Sequence, residues 1–157
     1  MCLDFLKTTL EATGKEHCFA HSTAAKELGK EITILKPAHL TVCRVRIDDC
    51  LITSGDSAKC DYFFRVCETK VNILVEFKGK DVLHAVDQIV KTFLILNKQL
   101  KQEPNALEGY IISSSVPSTA EQRFRKAQEK VLKEHGFFIH KKHQKLVLDL
   151  AGNSPGR

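Results

Sequence analysis

Apolar and polar positions along the chain predict both helices and strands. Over residues 81–98, apolar side chains repeat with a helical period, which predicts a long amphipathic helix. Between residues 40 and 47 the pattern alternates instead, with Cys43, Val45 and Ile47 on one face. This alternation predicts a half-buried strand.

The first 30 residues predict two helices. The first carries Phe5, Leu6 and Leu10 on one face and is interrupted by Gly14. The second is expected over residues 22–29, because a serine can cap its start and a glycine its end. The remaining predicted elements are a strand over 109–114, a helix over 118–135, and a final pair of strands over 137–150 around a basic turn at 141–145.

Two neighbouring strands in the middle of the chain carry charges where a core strand rarely has them. The apolar run at 73–75 predicts a buried strand, yet it continues directly into Glu76 and Lys78. Since strand side chains alternate faces, Glu76 and Lys78 point the same way and Phe77 points opposite. If Asp61 begins the adjacent antiparallel strand, its carboxylate lies beside the side chains of Glu76 and Lys78.

This arrangement resembles the motif of the PD-(D/E)XK nuclease superfamily: an aspartate, fourteen intervening residues, and Glu-x-Lys at the end of an apolar strand. The resemblance covers about the middle third of the chain, and Cys60 stands where the motif's name has proline. It implies metal-dependent hydrolysis of phosphodiester bonds. Asp61, Glu76 and the Phe77 carbonyl would bind Mg²⁺ or Mn²⁺, and Lys78 would orient or activate the attacking water.

Other residues are candidates for the same site. Some branches of the family place a glutamine near the substrate or metal in the helix that follows, and Gln88 matches it; a solvated boundary residue is the alternative. A helix before the first strand often adds an acid, for which Glu27 is the first candidate, although a solvated helix charge is the simpler interpretation. Asp48 or Asp49 would be an outer ligand, or only a turn residue. The other helix acids considered are Glu11 and Glu31.

The predicted elements define an α/β fold. Periodicity alone supports a single domain with a mixed central sheet flanked by helices, and the resemblance implies a restriction-endonuclease-like αβββαβ core. A chain of 157 residues is large enough for one sizeable core. We expect a single nuclease-like domain over residues 1–152 and a flexible C-terminal tail over residues 153–157.

A formal net charge of +5 permits an anionic partner. By family analogy we expect nucleic acid, DNA rather than RNA. A homodimer is the simplest way to supply the two active sites that double-strand cleavage requires, because a subunit of 157 residues offers little surface for reading a long sequence. The predicted phosphate-contacting residues are Arg123, Lys126, Lys130 and Lys133 on the helix, with Lys141 and Lys142 in the basic turn. A solvated helix face, and lysines that protect an edge strand, are the alternatives.

Six cysteines occur without a Cys-x-x-Cys pair, which favours reduced, buried thiols in a cytoplasmic protein. A zinc site at His17, Cys18 and His21 is the less favoured interpretation. No apolar run has the length of a membrane span and no signal-peptide pattern is present, so we expect a cytoplasmic protein with no membrane association.

Two non-enzymatic alternatives remain. One is a catalytically silent module on the same fold that binds nucleic acid or a partner protein. The other is a structural or immunity-type interaction protein, in which Glu76 and Lys78 would form only a local salt bridge.

Overall fold

The structure is a computed structural model, which describes residues 2, 4–52, 59–100, 107–114 and 118–151. The α-helices in these residues are α1 (Asp4–Ala12), α2 (Val82–Leu100) and α3 (Ser118–His135). The strands are β1 (Phe19–Ala20), β2 (Ala24–Glu27), β3 (Lys30–Leu35), β4 (Val42–Arg46), β5 (Tyr62–Val66), β6 (Val71–Lys78), β7 (Leu107–Ser113), β8 (Phe138–His143) and β9 (Lys145–Asp149). The predicted loop over 53–59, apart from Lys59, the predicted break at 103–105 and the predicted tail at 153–157 lie outside the described residues.

Six strands form the main sheet, in the order β1-β4-β5-β6-β7-β8. Neighbours from β1 to β6 pair antiparallel, whereas β6, β7 and β8 run parallel. Helix α2 connects β6 to β7, as expected for a parallel crossover. The predictions of a mixed α/β single domain, of the helix over 81–98 and of the strand within 40–47 are therefore confirmed.

The main sheet has a different layer on each face. On one face, Phe63 and Leu74 pack in a cluster with residues of all three helices, including Leu6 and Ile89. On the other face, neighbouring strand residues such as Val75 pack against the small sheet β2-β3-β9. Both faces of β6 are therefore buried, which explains why its sequence is an apolar run rather than an alternation.

The predicted helix over residues 22–29 is wrong, because this segment forms β2 and the turn into β3. Leu28 and Gly29 occupy the turn with φ of 50° and 77°, a left-handed conformation that a helix end and a two-residue hairpin turn share. Ser22 Oγ accepts a hydrogen bond from the Ala24 amide (3.3 Å), a local turn rather than a helix cap. Burial of Ala25 against the main sheet then favours the strand over its helix propensity.

The two strands predicted at the C-terminal end are present as β8 and β9, but the prediction that a basic turn joins them into a pair is wrong. Strand β8 joins the main sheet beside β7, and after Gln144 the chain enters the small sheet, where β9 pairs parallel with β3. Lys141 and Lys142 therefore lie within β8 and not in a turn. Since neighbouring strand residues point to opposite faces, these two lysines do not share one surface.

Two disulfides, Cys2–Cys67 and Cys18–Cys50, contradict the prediction of six reduced thiols. Cys43 and Cys60 are free and buried. Spacing along the sequence carries no information about which cysteines meet in space. Among the described residues, no helix is long and apolar enough to cross a membrane.

Candidate active site

Asp61 lies directly before β5 and is tied to the strands on both sides. Its amide donates to the Val75 carbonyl (3.1 Å), and its carbonyl accepts from the Ile47 amide (2.9 Å). Its side-chain Oδ2 accepts a hydrogen bond from the Phe77 amide (2.8 Å). These bonds hold the Asp61 carboxylate against the end of β6. Phe77 contacts Asp61 through its backbone amide. The metal-ligand role that the resemblance implies belongs to the Phe77 carbonyl.

Asp61 and Glu76 form a cross-strand pair of acids. Tyr62 lies opposite Val75, so continuing the same antiparallel register places Asp61 opposite Glu76. Side chains at such positions have Cβ atoms about 5 Å apart, and like charges there repel. The two carboxyl groups of the predicted site are therefore brought together, as the strand pattern required.

Glu76 is 3% exposed and has no cation at hydrogen-bonding distance within the described residues. Burial, the charge of Asp61 and a hydrogen bond shared with Asp61 raise the pKa of Glu76 to about 10, although Lys78 opposes the rise. Burial also raises the pKa of Asp61, against hydrogen bonds from Glu76 and from the Phe77 amide. Two ionised carboxylates cannot donate to each other, so the shared hydrogen bond requires a proton, which resides on Glu76.

One oxygen of this pair has no donor. Among the described residues, Glu76 Oε2 is buried without a hydrogen-bond partner. A buried carboxylate oxygen normally has a donor or a cation, because leaving it unpaired is costly. The pair of acids thus offers a divalent cation both negative charge and an unused ligand atom.

Lys78 lies on the same face of β6 as Glu76, as predicted, and its position is fixed by Gln88 of α2. Lys78 Nζ donates to Gln88 Oε1 (2.9 Å), and Gln88 Nε2 donates to the carbonyl of Lys59 (2.9 Å). The hydroxyl of Thr92, one turn further along α2, accepts from the Cys60 amide (2.8 Å). Gln88 is therefore half-buried and links Lys78 to the Lys59 carbonyl.

Acids from the second sheet and from the β4–β5 connection complete the cluster. Glu27 lies at the end of β2, not on a helix as predicted, and shares a side-chain hydrogen bond with Asp61. Burial and then the charge of Asp61 raise the pKa of Glu27, whereas Arg46 lowers it. Asp48 contributes to the raised pKa of Asp61 and pairs with Lys59 (3.4 Å). Four acids therefore influence one another at one edge of the main sheet.

The acid cluster is looser than a complete metal cage. In the described part of the chain, the groups with three ligand atoms within 4.8 Å of one another are Cys2, Cys43 and Cys67, and His17, Cys18 and Cys50. Mg²⁺, however, is usually bound by one or two carboxylates and keeps several waters. Asp61 and Glu76 supply that number of carboxyl groups.

The predicted phosphate-contacting residues are not all on one surface. Four of them lie on exposed positions of α3: Arg123, Lys126, Lys130 and Lys133. Lys141, by contrast, pairs with Glu121 and lies over the Phe124 ring (5.1 Å to the centroid). Burial lowers the pKa of Lys141. Lys142 points to the opposite face of β8, so only the helical residues form a continuous basic surface.

Three residues of the site were not found from the sequence. Lys59 follows a polar loop and gave no signal, although it is 9% exposed and its carbonyl positions Gln88. Arg46 lies on the strand face opposite to Val45, where an exposed arginine gives no sign of a site. Thr92 is a hydroxyl within the apolar stripe of α2, one turn after Gln88, and this position is the one signal that could have identified it.

Comparisons with models of protein families, with curated proteins and with solved structures give no match to this chain.

Proposed function

We propose that the protein is a divalent-metal-dependent nuclease that hydrolyses phosphodiester bonds, with DNA as the preferred substrate. The observation that carries the proposal is the buried, unpartnered Oε2 of Glu76 beside Asp61, on the strand face that also carries Lys78. Two carboxyl groups buried side by side cost free energy, and such pairs are common at functional sites. A cation bound at this position would take the place of the proton that they share.

Asp61 and Glu76 are the proposed ligands of Mg²⁺ or Mn²⁺, together with the Phe77 carbonyl and waters. Glu76 must lose its shared proton before its carboxylate can bind the ion. A bound ion would lower the pKa of a coordinated water and polarise the scissile phosphate. Glu27 is the proposed additional acid, since its hydrogen bond to Asp61 keeps that carboxylate in place.

Lys78 is the proposed catalytic lysine. Its ammonium is held by Gln88 Oε1 and lies on the same strand face as Glu76, where it would orient the attacking water and stabilise developing negative charge. Gln88 touches Lys78 rather than a substrate position, so we assign it a positioning role. Gln88 also donates a hydrogen bond from Nε2 to the Lys59 carbonyl, and this bond orients the amide group that holds Lys78.

The fold supports the same proposal. From β4 to β7 the chain has three antiparallel strands, a helix and a parallel strand, whereas β1, β2 and β3 stand between α1 and β4. The segment β4-β5-β6-α2-β7 is similar in order to the βββαβ part of a restriction-endonuclease-like core. Fold alone does not determine function, and the acidic pair and lysine at the end of β6 give the proposal its chemistry.

The basic face of α3 is the proposed DNA contact. Its exposed arginine and lysines would neutralise phosphates with little sequence preference. A homodimer would place two such faces and two active sites on one duplex. We further propose that the protein acts in the cytoplasm, where the Cys2–Cys67 and Cys18–Cys50 pairs would be reduced.

Cleavage by a Lys78→Ala variant tests the proposal. We expect the variant to fold and to bind Mn²⁺ as the wild type does, but to cleave DNA at least about 100-fold more slowly. Lys80→Ala is the matched control, because Lys80 is exposed two residues further along and has no place in the site. Equal cleavage rates for Lys78→Ala and the wild type would contradict the proposal. DNA binding without cleavage by the wild type would instead support a catalytically silent module.

A further inference from the structure

Three sulfur atoms meet at the edge of the main sheet opposite to β8. The Cys2–Cys67 disulfide lies next to the free thiol of Cys43, whose Sγ is 3.5 Å from Cys67 Sγ. All three sulfur atoms lie within 4.8 Å of one another. Nδ1 of His21 lies 3.7 Å from Cys43 Sγ.

This arrangement is poor for direct thiol–disulfide exchange. Attack by Cys43 on the disulfide requires the attacking, central and leaving sulfur atoms to lie nearly on one line. With a 3.5 Å approach and an S–S bond of about 2.05 Å, such a line is longer than the 4.8 Å that encloses all three atoms. The sulfur atoms are therefore grouped around a point and are not in line.

The spacing matches the ligands of a tetrahedral zinc ion. With Zn–S bonds of about 2.3 Å, tetrahedral geometry places two sulfur ligands about 3.8 Å apart. The 3.5 Å from Cys43 Sγ to Cys67 Sγ and the 3.7 Å from Cys43 Sγ to His21 Nδ1 are close to this distance. His21 is not within 4.8 Å of all three sulfur atoms, so its side chain would have to move toward Cys2 and Cys67 to complete the site. Cys2 requires only that its bond to Cys67 be opened.

The four residues come from separate elements that the fold brings together. Cys43 lies on β4 and is completely buried, Cys67 follows β5, His21 follows the edge strand β1, and Cys2 precedes α1. A surface pocket of about 510 Å³ is lined by Cys2, His21 and Cys67. An ion can reach the sulfur atoms from solvent through this pocket. Cys43 lies at the buried end of the site.

We propose that Cys2, Cys43, Cys67 and His21 form a zinc site when the Cys2–Cys67 disulfide is reduced. A dithiol reductant supplies two electrons and two protons to Cys2 and Cys67 and leaves as its own disulfide. Zn²⁺ then binds three thiolates and the neutral His21 imidazole, and three thiol protons are released to solvent. The same sulfur atoms thus serve as a disulfide under oxidising conditions and as a metal site under reducing conditions.

A second group in the structure provides an internal comparison. His17 Nε2 lies 3.8 Å from Cys18 Sγ and 3.9 Å from Cys50 Sγ, and these cysteines form the other disulfide. This group has two sulfur atoms and one imidazole, but the described residues place no third thiol within it. The sequence pattern His17, Cys18 and His21 therefore does not form one site, because His21 lies outside the group that contains His17 and Cys18.

Titration of the reduced full-length protein with Co²⁺, followed by displacement with Zn²⁺, tests the proposal. We expect one Co²⁺ per chain with the visible absorption of tetrahedral thiolate coordination. Cys43→Ser should weaken Zn²⁺ binding by more than 100-fold, beyond the roughly 10–100-fold that loss of an outer partner causes. Cys50→Ser, in the second group, should leave the affinity and the spectrum unchanged. Absence of stoichiometric binding, or equal affinity in Cys43→Ser, would overturn the proposal.

If Cys43→Ser does not fold, thiol alkylation of the reduced wild type gives the answer. Mass spectrometry should find Cys2 and Cys67 alkylated without Zn²⁺ and protected with it, because both are partly exposed in the structure. Equal alkylation with and without Zn²⁺ would overturn the proposal.

Discussion

Replacing Glu76 by glutamine should stabilise the metal-free protein. Glu76 has an ordinary pKa of 4.5 and a folded-state pKa of about 10, because it is buried beside Asp61. Between these two values the unfolded chain has released a proton that the folded chain keeps. The free energy of unfolding therefore decreases as pH rises through this range.

The magnitude follows from the size of the pKa shift. Each pH unit above 4.5 lowers the free energy of unfolding by about 1.4 kcal/mol. At a pH of about 7.5 the buried glutamate therefore lowers it by at most about 4 kcal/mol. Structural relaxation around the pair reduces this figure, and we expect a net gain of about 1–4 kcal/mol in Glu76→Gln. The variant keeps a neutral side chain that can still donate a hydrogen bond to Asp61. For a chain of this length the gain corresponds to a rise in Tm of at least about 3 °C.

Thermal unfolding in EDTA, followed by circular dichroism from about pH 5 to 9, is the assay. The advantage of Glu76→Gln over the wild type should grow with pH, whereas Glu129→Gln, at an exposed position of α3, should change neither Tm nor its pH dependence. Adding Mn²⁺ should raise the Tm of the wild type but not that of Glu76→Gln. A Glu76→Gln protein that is less stable than the wild type in EDTA would refute the reasoning and make Glu76 a structural group.

Two further predictions concern the surroundings of the acids. Gln88→Ala should lower the cleavage rate about 10–100-fold without changing Mn²⁺ affinity, because Lys78 loses the oxygen that holds its ammonium. An equal loss of rate and of Mn²⁺ affinity would show that Gln88 acts on the metal instead. A triple lysine-to-glutamine variant of α3 should weaken DNA binding and reduce the slope of log affinity against log salt by up to about 3, as measured by fluorescence anisotropy, and unchanged affinity would make this helix a solvated face. Its substituted residues are Lys126, Lys130 and Lys133.

Local periodicity was sufficient to predict the centre of the site. Alternation along β6 placed Glu76 and Lys78 on one face, and the short turn between β5 and β6 brought Asp61 opposite Glu76. These relations depend on neighbouring positions in the chain and on the period of a strand. Gln88 was a candidate by resemblance alone, and its bond to Lys78 depends on how α2 packs on the sheet.

Contacts between distant segments could not be predicted in this way. The residues from 22 to 29 have good helix propensity, and only the packing of Ala25 against the main sheet selects the hairpin. Glu27 therefore reaches Asp61 from a strand in the second sheet and not from a helix. The change of sheet at Gln144 and the two disulfides also depend on long-range pairing, which spacing along the sequence does not encode.

Cleavage of duplex DNA by the purified wild type, with Mg²⁺ or Mn²⁺ and then with EDTA, tests the central claim most directly. Asp61→Asn, prepared in the same way, controls for a contaminating nuclease, because the asparagine keeps the size of the side chain and removes the charge that would bind the ion. We expect cleaved DNA with either metal ion, none in EDTA, and none with Asp61→Asn. Intact DNA with the wild type in both metal ions, or equal product from the wild type and Asp61→Asn, would contradict it.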